Sequence, residues 1–278
     1  MFMRSSLLPL VALVGSGLAA CAVPAPEPGP ETASSTATAI VMVERTSGPG
    51  DAIRGDAVIA RFIRVRQGAV DDPALRIAGV AEDIPAPGTC SAPADPAVTQ
   101  GRSVELLDVG PVALTSAADG SPKNTVLLPR SMPDPAGVVS GVFYSARTAD
   151  VFAPGSRVSL RADGGADLVD GFSVAVTAPH DVGDVRVAST STGLDVSWDA
   201  DDTLHDLVYV DVLSPAPRVV VRCTSADTGH LFVPQNSIPG IEEGQLAVHR
   251  LHKESFKAKG IDPGEVRFDV AKVVTFRR

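Results

Sequence analysis

The chain has 278 residues, of which 44% are hydrophobic and 4% aromatic, and its formal net charge is −9 at pH 7. This negative charge argues against nucleic acids and anionic lipid surfaces as partners. With 25 glycines, 23 prolines and no long hydrophobic pattern of helical period, the sequence predicts an all-β protein with many turns.

Residues 1–21 have the pattern of an export signal. A short positive region is followed by an apolar segment at residues 7–18 and then by small residues. The apolar segment is shorter than the roughly 20 residues that a membrane-spanning helix needs. Leu18-Ala19-Ala20-Cys21 resembles the lipobox of bacterial lipoproteins, which implies a signal peptide at residues 1–20 and acylation of the Cys21 thiol. The alternative is an ordinary secretory signal that is cut elsewhere.

An acylated Cys21 would attach the protein to a membrane. Each acyl CH₂ buried in lipid contributes about 0.8 kcal/mol, so two or three chains on one cysteine give lasting attachment. The sequence has no second apolar stretch of about 18 residues, so we expect an anchored protein that does not cross the membrane. Ala22 stands where an inner-membrane retention signal would have aspartate. The resemblance therefore implies the outer membrane of a bacterial cell envelope, on either face.

Residues 22–39 are predicted to form a disordered, proline-rich linker. Their sequence, AVPAPEPGPETASSTATA, alternates proline with small or polar residues and cannot bury a core. Such a segment favours extended polyproline II structure, which at about 3.1 Å per residue would place the folded part roughly 50 Å from the lipid.

Residues 40–180 are predicted to form a first antiparallel β-sandwich or barrel domain. Short segments with apolar residues at every second position recur roughly every ten to twenty residues, which is typical of such folds. Between Phe62 and Ile63 the apolar positions change phase, which predicts a β-bulge. The predicted strands are Ile40–Glu44, Asp56–Gln67, Val104–Val109, Val112–Thr115, Thr125–Leu128, Val138–Tyr144, Val158–Arg161 and Phe172–Thr177.

Pro179 marks the predicted boundary of a second domain at residues 181–278. Seven strands in about 100 residues is the count of an Ig-like sandwich. The alternation in one of these strands places Leu194, Val196 and Trp198 on one buried face. The predicted strands are Val185–Ala188, Leu194–Trp198, Leu207–Leu213, Val219–Cys223, His230–Val233, Leu246–His252 and Val266–Phe276.

Two further resemblances accompany this pattern. Residues 194–198 and 208–212, LDVSW and VYVDV, resemble the second and third strands of a fibronectin type III module, although the tyrosine of the sixth strand is missing from residues 245–252. The leader, the linker and the segments at residues 106–110 and 222–234 are similar to lipoproteins of high-GC Gram-negative bacteria. These resemblances imply a fold and a location, and a shared fold does not specify an activity.

Cys90 and Cys223 remain after the anchor cysteine. An oxidising envelope would permit them to form a disulfide, which would stabilise the fold by roughly 5 kcal/mol in the chain-entropy model. The alternative is two separate thiols, because Cys223 alternates with Val219 and Val221 and is expected to face a core, where free cysteine is common.

Clustered carboxylates follow Trp198. Asp199, Asp201 and Asp202 are candidate calcium ligands, because carboxylate oxygens on a loop can coordinate this cation. Their spacing lacks the glycine and the terminal glutamate of an EF-hand, and the alternative is a solvated acidic loop.

All five histidines lie at or after the predicted boundary. Residues three apart in a strand point to opposite faces, and no cysteine or glutamate stands at zinc-ligand spacing beside His249 and His252. We therefore expect surface histidines instead of a metal site. The five are His180, His205, His230, His249 and His252.

The sequence contains no nucleophile elbow, no zinc-protease helix, no P-loop and no dinucleotide fingerprint. We therefore expect a protein without catalytic activity or cofactor, anchored to the membrane by its acyl chains. It would serve as an interaction or structural module for an envelope protein or a glycan. The alternatives are a carbohydrate-binding or adhesion lipoprotein and a hydrolase that combines the acidic loop with His205.

Overall fold

A computed structural model describes residues 37–48, 55–65, 75–76, 78–93, 104–118, 121–132, 138–148, 150–201, 206–214 and 218–278. β-Strands account for most of these residues, which confirms the all-β prediction. The signal peptide, Cys21 and residues 22–36 of the predicted linker lie outside the described residues. Residues 37–39 of that linker are instead buried in the first strand.

The described residues contain sixteen strands. The first nine are β1 Ala37–Ser47, β2 Gly55–Val65, β3 Cys90–Ser91, β4 Val104–Leu106, β5 Val112–Ala118, β6 Ser121–Met132, β7 Val139–Thr148, β8 Arg157–Ala162 and β9 Phe172–Thr177. The other seven are β10 Arg186–Thr190, β11 Gly193–Ser197, β12 Leu207–Leu213, β13 Val219–Ala226, β14 His230–Pro234, β15 Glu243–Ala258 and β16 Ile261–Arg277.

The strands form two sheets. One is a 13-stranded sheet with the order β3-β13-β12-β15-β16-β1-β2-β4-β7-β6-β5-β8-β9, and the other contains β10, β11 and β14. Most neighbours are antiparallel, as predicted, but β1 pairs with β16 and β4 with β7 in parallel.

The first core lies inside the curled part of the large sheet, from β1 to β9. Aromatic side chains fill it: the rings of Phe62 and Tyr144 are 5.9 Å apart, and those of Phe152 and Phe268 are 5.3 Å apart. Its last strand, β9, returns to β15, where Phe172 stacks on Phe256 with ring centroids 5.8 Å apart. The sheet thereby closes over its own apolar face.

The second core lies between the three-stranded sheet and strands β12, β13, β15 and β16. Leu194, Val196 and Trp198 all point into it and are buried, which confirms the predicted face of β11. They pack with Val208 and Val210 of β12. The seven predicted strands of this region are all present.

A third apolar cluster on the outside of β1 and β2 explains the change of phase in β2. Phe62 belongs to the first core, whereas Ile63 and Val65 belong to this third cluster. The pairing of β2 with β1 runs from Ile63 to Gly55 without a shift of register. The predicted bulge is therefore wrong: this end of β2 is buried on both faces, and a strand buried on both faces has no polar alternation.

The β15–β16 hairpin contributes to both cores. Leu246, Val248 and Phe276 belong to the second core. Nearer the turn, Ile261 and Phe268 belong to the first core. The hairpin therefore joins the two cores through continuous backbone.

Two buried arginines bind the chain just after Pro179. Arg45 pairs with both carboxylate oxygens of Asp56 at 3.0 and 2.8 Å and also reaches Asp181 at 3.2 Å. Arg250 donates to the main-chain oxygens of His180 and Asp181, each at 3.1 Å. Two separate guanidinium groups thus bind the same short stretch. The domain boundary placed here by the sequence stays a prediction.

Candidate functional site

A cluster of polar side chains lies on the face of the large sheet that points away from the second core. Tyr209 on β12 is directly opposite His249 on β15, and Asp211 on β12 is directly opposite Arg222 on β13. Asp269 on β16 completes the set. We call Tyr209, Asp211, Arg222, His249 and Asp269 the polar cluster.

Its members contact one another in series. Arg222 donates to both oxygens of Asp211 at 2.7 Å, and its guanidinium lies 4.4 Å from the centre of the Tyr209 ring. That ring stacks on His249 with centroids 4.3 Å apart. The Tyr209 hydroxyl donates to Asp269 at 2.6 Å, and His249 Nδ1 lies 2.9 Å from the other oxygen of Asp269.

The electrostatics favour a charged His249–Asp269 pair. Burial works against the imidazolium, but the carboxylate of Asp269 outweighs it and raises the pKa of His249. Burial likewise works against the carboxylate, but the charge and hydrogen bond of His249, together with the Tyr209 hydroxyl and the charge of Arg222, lower the pKa of Asp269. Burial and the charge of Asp269 raise the pKa of Tyr209 well above its ordinary value.

The carboxylates of the polar cluster find their hydrogen-bond partners within the cluster. Both oxygens of Asp211 accept from Arg222, and the two oxygens of Asp269 are bonded to Tyr209 and His249. A general base needs an acceptor that can reach a substrate proton. These contacts leave the carboxylates engaged within the cluster, so the arrangement favours a role in holding four strands in register.

A segment without buried side chains runs beside this face. Residues 81–91, which we call the strap, are all exposed or half-buried. Lys253 Nζ lies 2.7 Å from Glu82, and Arg222 donates to the Asp83 oxygen at 3.2 Å. At its far end the strap pairs with β13 through Cys90 and Ser91.

Two cavities adjoin the strap. One of about 240 Å³ lies between it and the sheet and is lined by Glu82, Ile84, Lys253 and Arg267, among others. The other, of about 270 Å³, lies at the end of the strap. It is lined by Gly88, Thr89, Cys90, Cys223, Thr224, Ser225, His230, Leu231 and Phe232.

The structure brings one predicted pair together. Cys90 and Cys223 form a disulfide with an S–S distance of 2.06 Å across 133 residues of sequence. Cys21 lies outside the described residues, so its acylation stays a prediction.

The calcium proposal also stays a prediction, because Asp202 lies outside the described residues. Asp201 donates its backbone N–H to Asp227 at 3.2 Å, and the main-chain oxygen of Asp199 accepts from Arg250 at 2.7 Å. Within the part of the chain that the structure describes, no three histidine, cysteine or acidic side chains are grouped to hold a metal ion.

The prediction of surface histidines is wrong for two residues. His249 belongs to the polar cluster, and His252 is buried with its Nδ1 2.6 Å from Asp206. Each ring has a carboxylate partner, and this interaction offsets the free energy lost when the ring is removed from water. His205 lies outside the described residues, so the hydrolase alternative built on it is untouched.

Sequence reasoning missed the polar cluster because the polar positions of β12 read as a solvated face. A signal was present: Tyr209 and Asp211 alternate with valines in a strand that the pattern places well within the domain. Only the pairing of β12 with β13 and β15 shows that oppositely charged residues share that face.

Neither protein-family models nor curated proteins match this chain. Among the described residues, no helix has the length and apolar character that a membrane span requires.

Proposed function

We propose that the protein is a lipid-anchored component of the bacterial cell envelope that acts as a non-catalytic interaction or structural module. The observation that carries this proposal is the Leu18-Ala19-Ala20-Cys21 motif after an apolar segment. Acyl chains on Cys21 would attach the protein to the membrane, and Ala22 favours the outer membrane over the inner one.

The position of the first strand is compatible with such an anchor. β1 begins at Ala37, so residues 22–36 separate Cys21 from the folded part. A stretch of this length reaches at most roughly 50 Å when fully extended. The β-structure would then be displayed at a bounded distance from the lipid.

A fibronectin type III-like module is the proposed identity of the second region. Strand order supports it: β10, β11 and β14 form one sheet, and β13, β12, β15 and β16 follow one another in the other. In Ig-like sandwiches the first, second and fifth strands likewise face a sheet that contains the third, sixth and seventh. Such modules present loops and edges to partners.

The contacts that join the two regions support a display role. Arg45 and Arg250 bind the stretch at His180 and Asp181 from two sides, and the β15–β16 hairpin spans both cores. A partner bound at one end would therefore meet a surface with a fixed orientation.

The carbohydrate-binding alternative loses support from the aromatic residues. Sugar recognition commonly uses exposed aromatic rings as stacking platforms. The single tryptophan, Trp198, and both tyrosines, Tyr144 and Tyr209, are buried. Trp198 donates its indole N–H to Asp227 at 2.6 Å, which fixes the ring inside the molecule.

The anchor is tested by replacing Cys21 with alanine in the full chain. We expect the wild-type protein to begin at Cys21, to have acyl chains detectable by mass spectrometry of its amino-terminal peptide and to require detergent for release from membranes. The Cys21→Ala variant should keep its signal peptide and gain no acyl chain, whereas a Cys90→Ala control should be processed like the wild type. A native protein that starts elsewhere, or that washes off without detergent, contradicts the anchor.

The interaction role is tested by cross-linking in intact envelopes. The wild-type protein should yield a discrete envelope partner, and the yield should fall when Cys21→Ala prevents acylation and delivery to the outer membrane. Cross-linking that recovers only neighbours shared with an unrelated lipoprotein would contradict a specific interaction.

A further inference from the structure

The strap is attached to the sheet mainly by polar contacts and one covalent bond. None of its residues, 81–91, is buried, so apolar packing contributes little to its position. Two main-chain hydrogen bonds join it to β13: Gly88 N–H donates to the Thr224 oxygen at 2.7 Å, and Thr224 N–H donates to the Thr89 oxygen at 3.0 Å. The pairing of Cys90 and Ser91 with β13 and the Cys90–Cys223 disulfide complete the connection at this end.

The two sulfurs of this disulfide have different surroundings. Cys223 belongs to the second core and is 1% exposed. Cys90 is half-buried on the strap, and both residues line the 270 Å³ cavity at the end of the strap. An incoming thiolate therefore has a route to the sulfur of Cys90 that does not require the core to open.

One feature of the closed strap favours its opening. Thr224 lines the same cavity, is fully buried and has a hydroxyl group without a hydrogen-bond partner among the described residues. Leaving a buried hydroxyl unpaired costs free energy. Opening of the strap would admit water to this group, so the disulfide opposes a tendency to open.

We propose that the Cys90–Cys223 disulfide is a reversible fastener for the strap, and that a dithiol of a partner protein, reaching Cys90 through the 270 Å³ cavity, reduces it and frees the edge of β13. The freed edge would present the unpaired backbone groups of Arg222–Thr224, which the strap now covers. Such an edge can accept an extended segment of a partner as an added strand. This inference does not depend on the lipid anchor.

The exchange proceeds by two displacements. A thiolate of the dithiol attacks Cys90 Sγ, the S–S bond breaks, and its electron pair goes to Cys223 Sγ, which takes up a proton. The second thiolate of the dithiol then attacks the dithiol's first sulfur, which is bonded to Cys90 in the mixed disulfide. Cys90 leaves as a thiolate and is protonated in turn. Two electrons pass to the protein, and the dithiol ends as a disulfide.

The first test uses the full chain, with dithiothreitol as the dithiol probe and hydrogen exchange as the readout. After reduction, the amides of residues 88–91 and of Thr224 should exchange about tenfold faster or more, because their local protection depends on the fastener. Amides of β11 and the fluorescence of Trp198 should stay unchanged. Unchanged exchange at the strap would overturn the proposal, and so would loss of Trp198 fluorescence on reduction, since the bond would then support the whole fold.

The second test asks whether the cavity is the route of attack. Phe232 is 41% exposed and lines the cavity, so Phe232→Ala should widen the opening and raise the rate of reduction severalfold. Val169→Ala, which trims a side chain that is 83% exposed at a distant site, is the matched control and should leave the rate unchanged. If both variants and the wild type are reduced only at the rate of global unfolding, the cavity is not a route and the proposal fails.

Discussion

The two cores of this molecule are closed in different ways. The first core is enclosed by β1, β2, β5–β9 and part of β16, and its aromatic side chains fill the space inside one curled sheet. The second core is closed on one side by β15 and β16, which the first core also uses, and it contains one half of the disulfide from the strap. The difference teaches that the hairpin is the common element, so neither core is complete without it.

This dependence has a physical origin in the hairpin. Strands of 16 and 17 residues are long for a globular protein, and each of these two crosses from one core to the other. A change in the half near the turn is therefore transmitted through paired backbone to the half that covers Trp198. The predictions below test this coupling, from the largest expected effect to the smallest.

Phe268→Ala should disturb both cores. Phe268 is fully buried in the first core, and removing a buried phenylalanine ring costs about 4 kcal/mol of unfolding free energy. Trp198, the single tryptophan, reports on the second core. We expect urea unfolding followed by Trp198 fluorescence to shift as far as unfolding followed by far-UV circular dichroism. A fluorescence midpoint that stays at the wild-type value would show that the two cores unfold separately.

Arg250→Met should destabilise the second region by about 3 kcal/mol, because it leaves the carboxylate of Asp227 buried without its charged partner. The guanidinium also holds the chain after Pro179 through the oxygens of His180 and Asp181. Urea unfolding provides the measurement. Lys257→Met is the control, since its exposed ion pair with Asp262 should contribute less than about 1 kcal/mol. Equal losses of unfolding free energy in the two variants would mean that the buried Arg250 contributes no more to stability than an exposed ion pair.

His249 should contribute to the pH dependence of the unfolding free energy. This effect should be smaller than those of the two substitutions above. Although burial lowers its pKa, Asp269 raises it above the unfolded value of about 6.5. The stabilisation is therefore complete below that pH and is lost as the pH rises through the folded pKa. The slope that one proton can add is at most about 1.4 kcal/mol per pH unit.

Chemical unfolding from pH 6 upward measures this slope. His249→Gln should flatten it, while His252, whose pKa is raised by its hydrogen bond to Asp206, keeps a remainder of the same sign. His230→Gln, at an exposed ring paired with Asp195, serves as the matched variant. If the slope in His249→Gln is as steep as in the wild type, His249 and Asp269 do not form a charged pair in the polar cluster.

Local pattern predicted the elements well where apolar alternation decides burial. β9 and β12 have the bounds that alternation indicates, and Leu194, Val196 and Trp198 point inward as expected. The sequence left the pairing of Cys90 with Cys223 open, because separation along the chain says nothing about distance in space.

Features that depend on distant partners escaped the sequence. The end of β15 alternates polar residues such as Lys253 and Lys257 with half-buried ones, so its extension to Ala258 becomes visible only beside β16 and β9. The polar cluster and the burial of Phe62 and Ile63 on opposite faces have the same cause. Each requires knowledge of which strands become neighbours.

The parallel pairing of β1 with β16 also means that β1 is synthesised long before its neighbour. Ser47 donates its hydroxyl to the oxygen of Ala271, 224 residues later. At translation rates of 5–20 residues per second, β1 waits roughly 10 to 45 s before its neighbour exists. Until then one side of β1 is an exposed template for wrong partners, so a chaperone that shields nascent chains would find its substrate there.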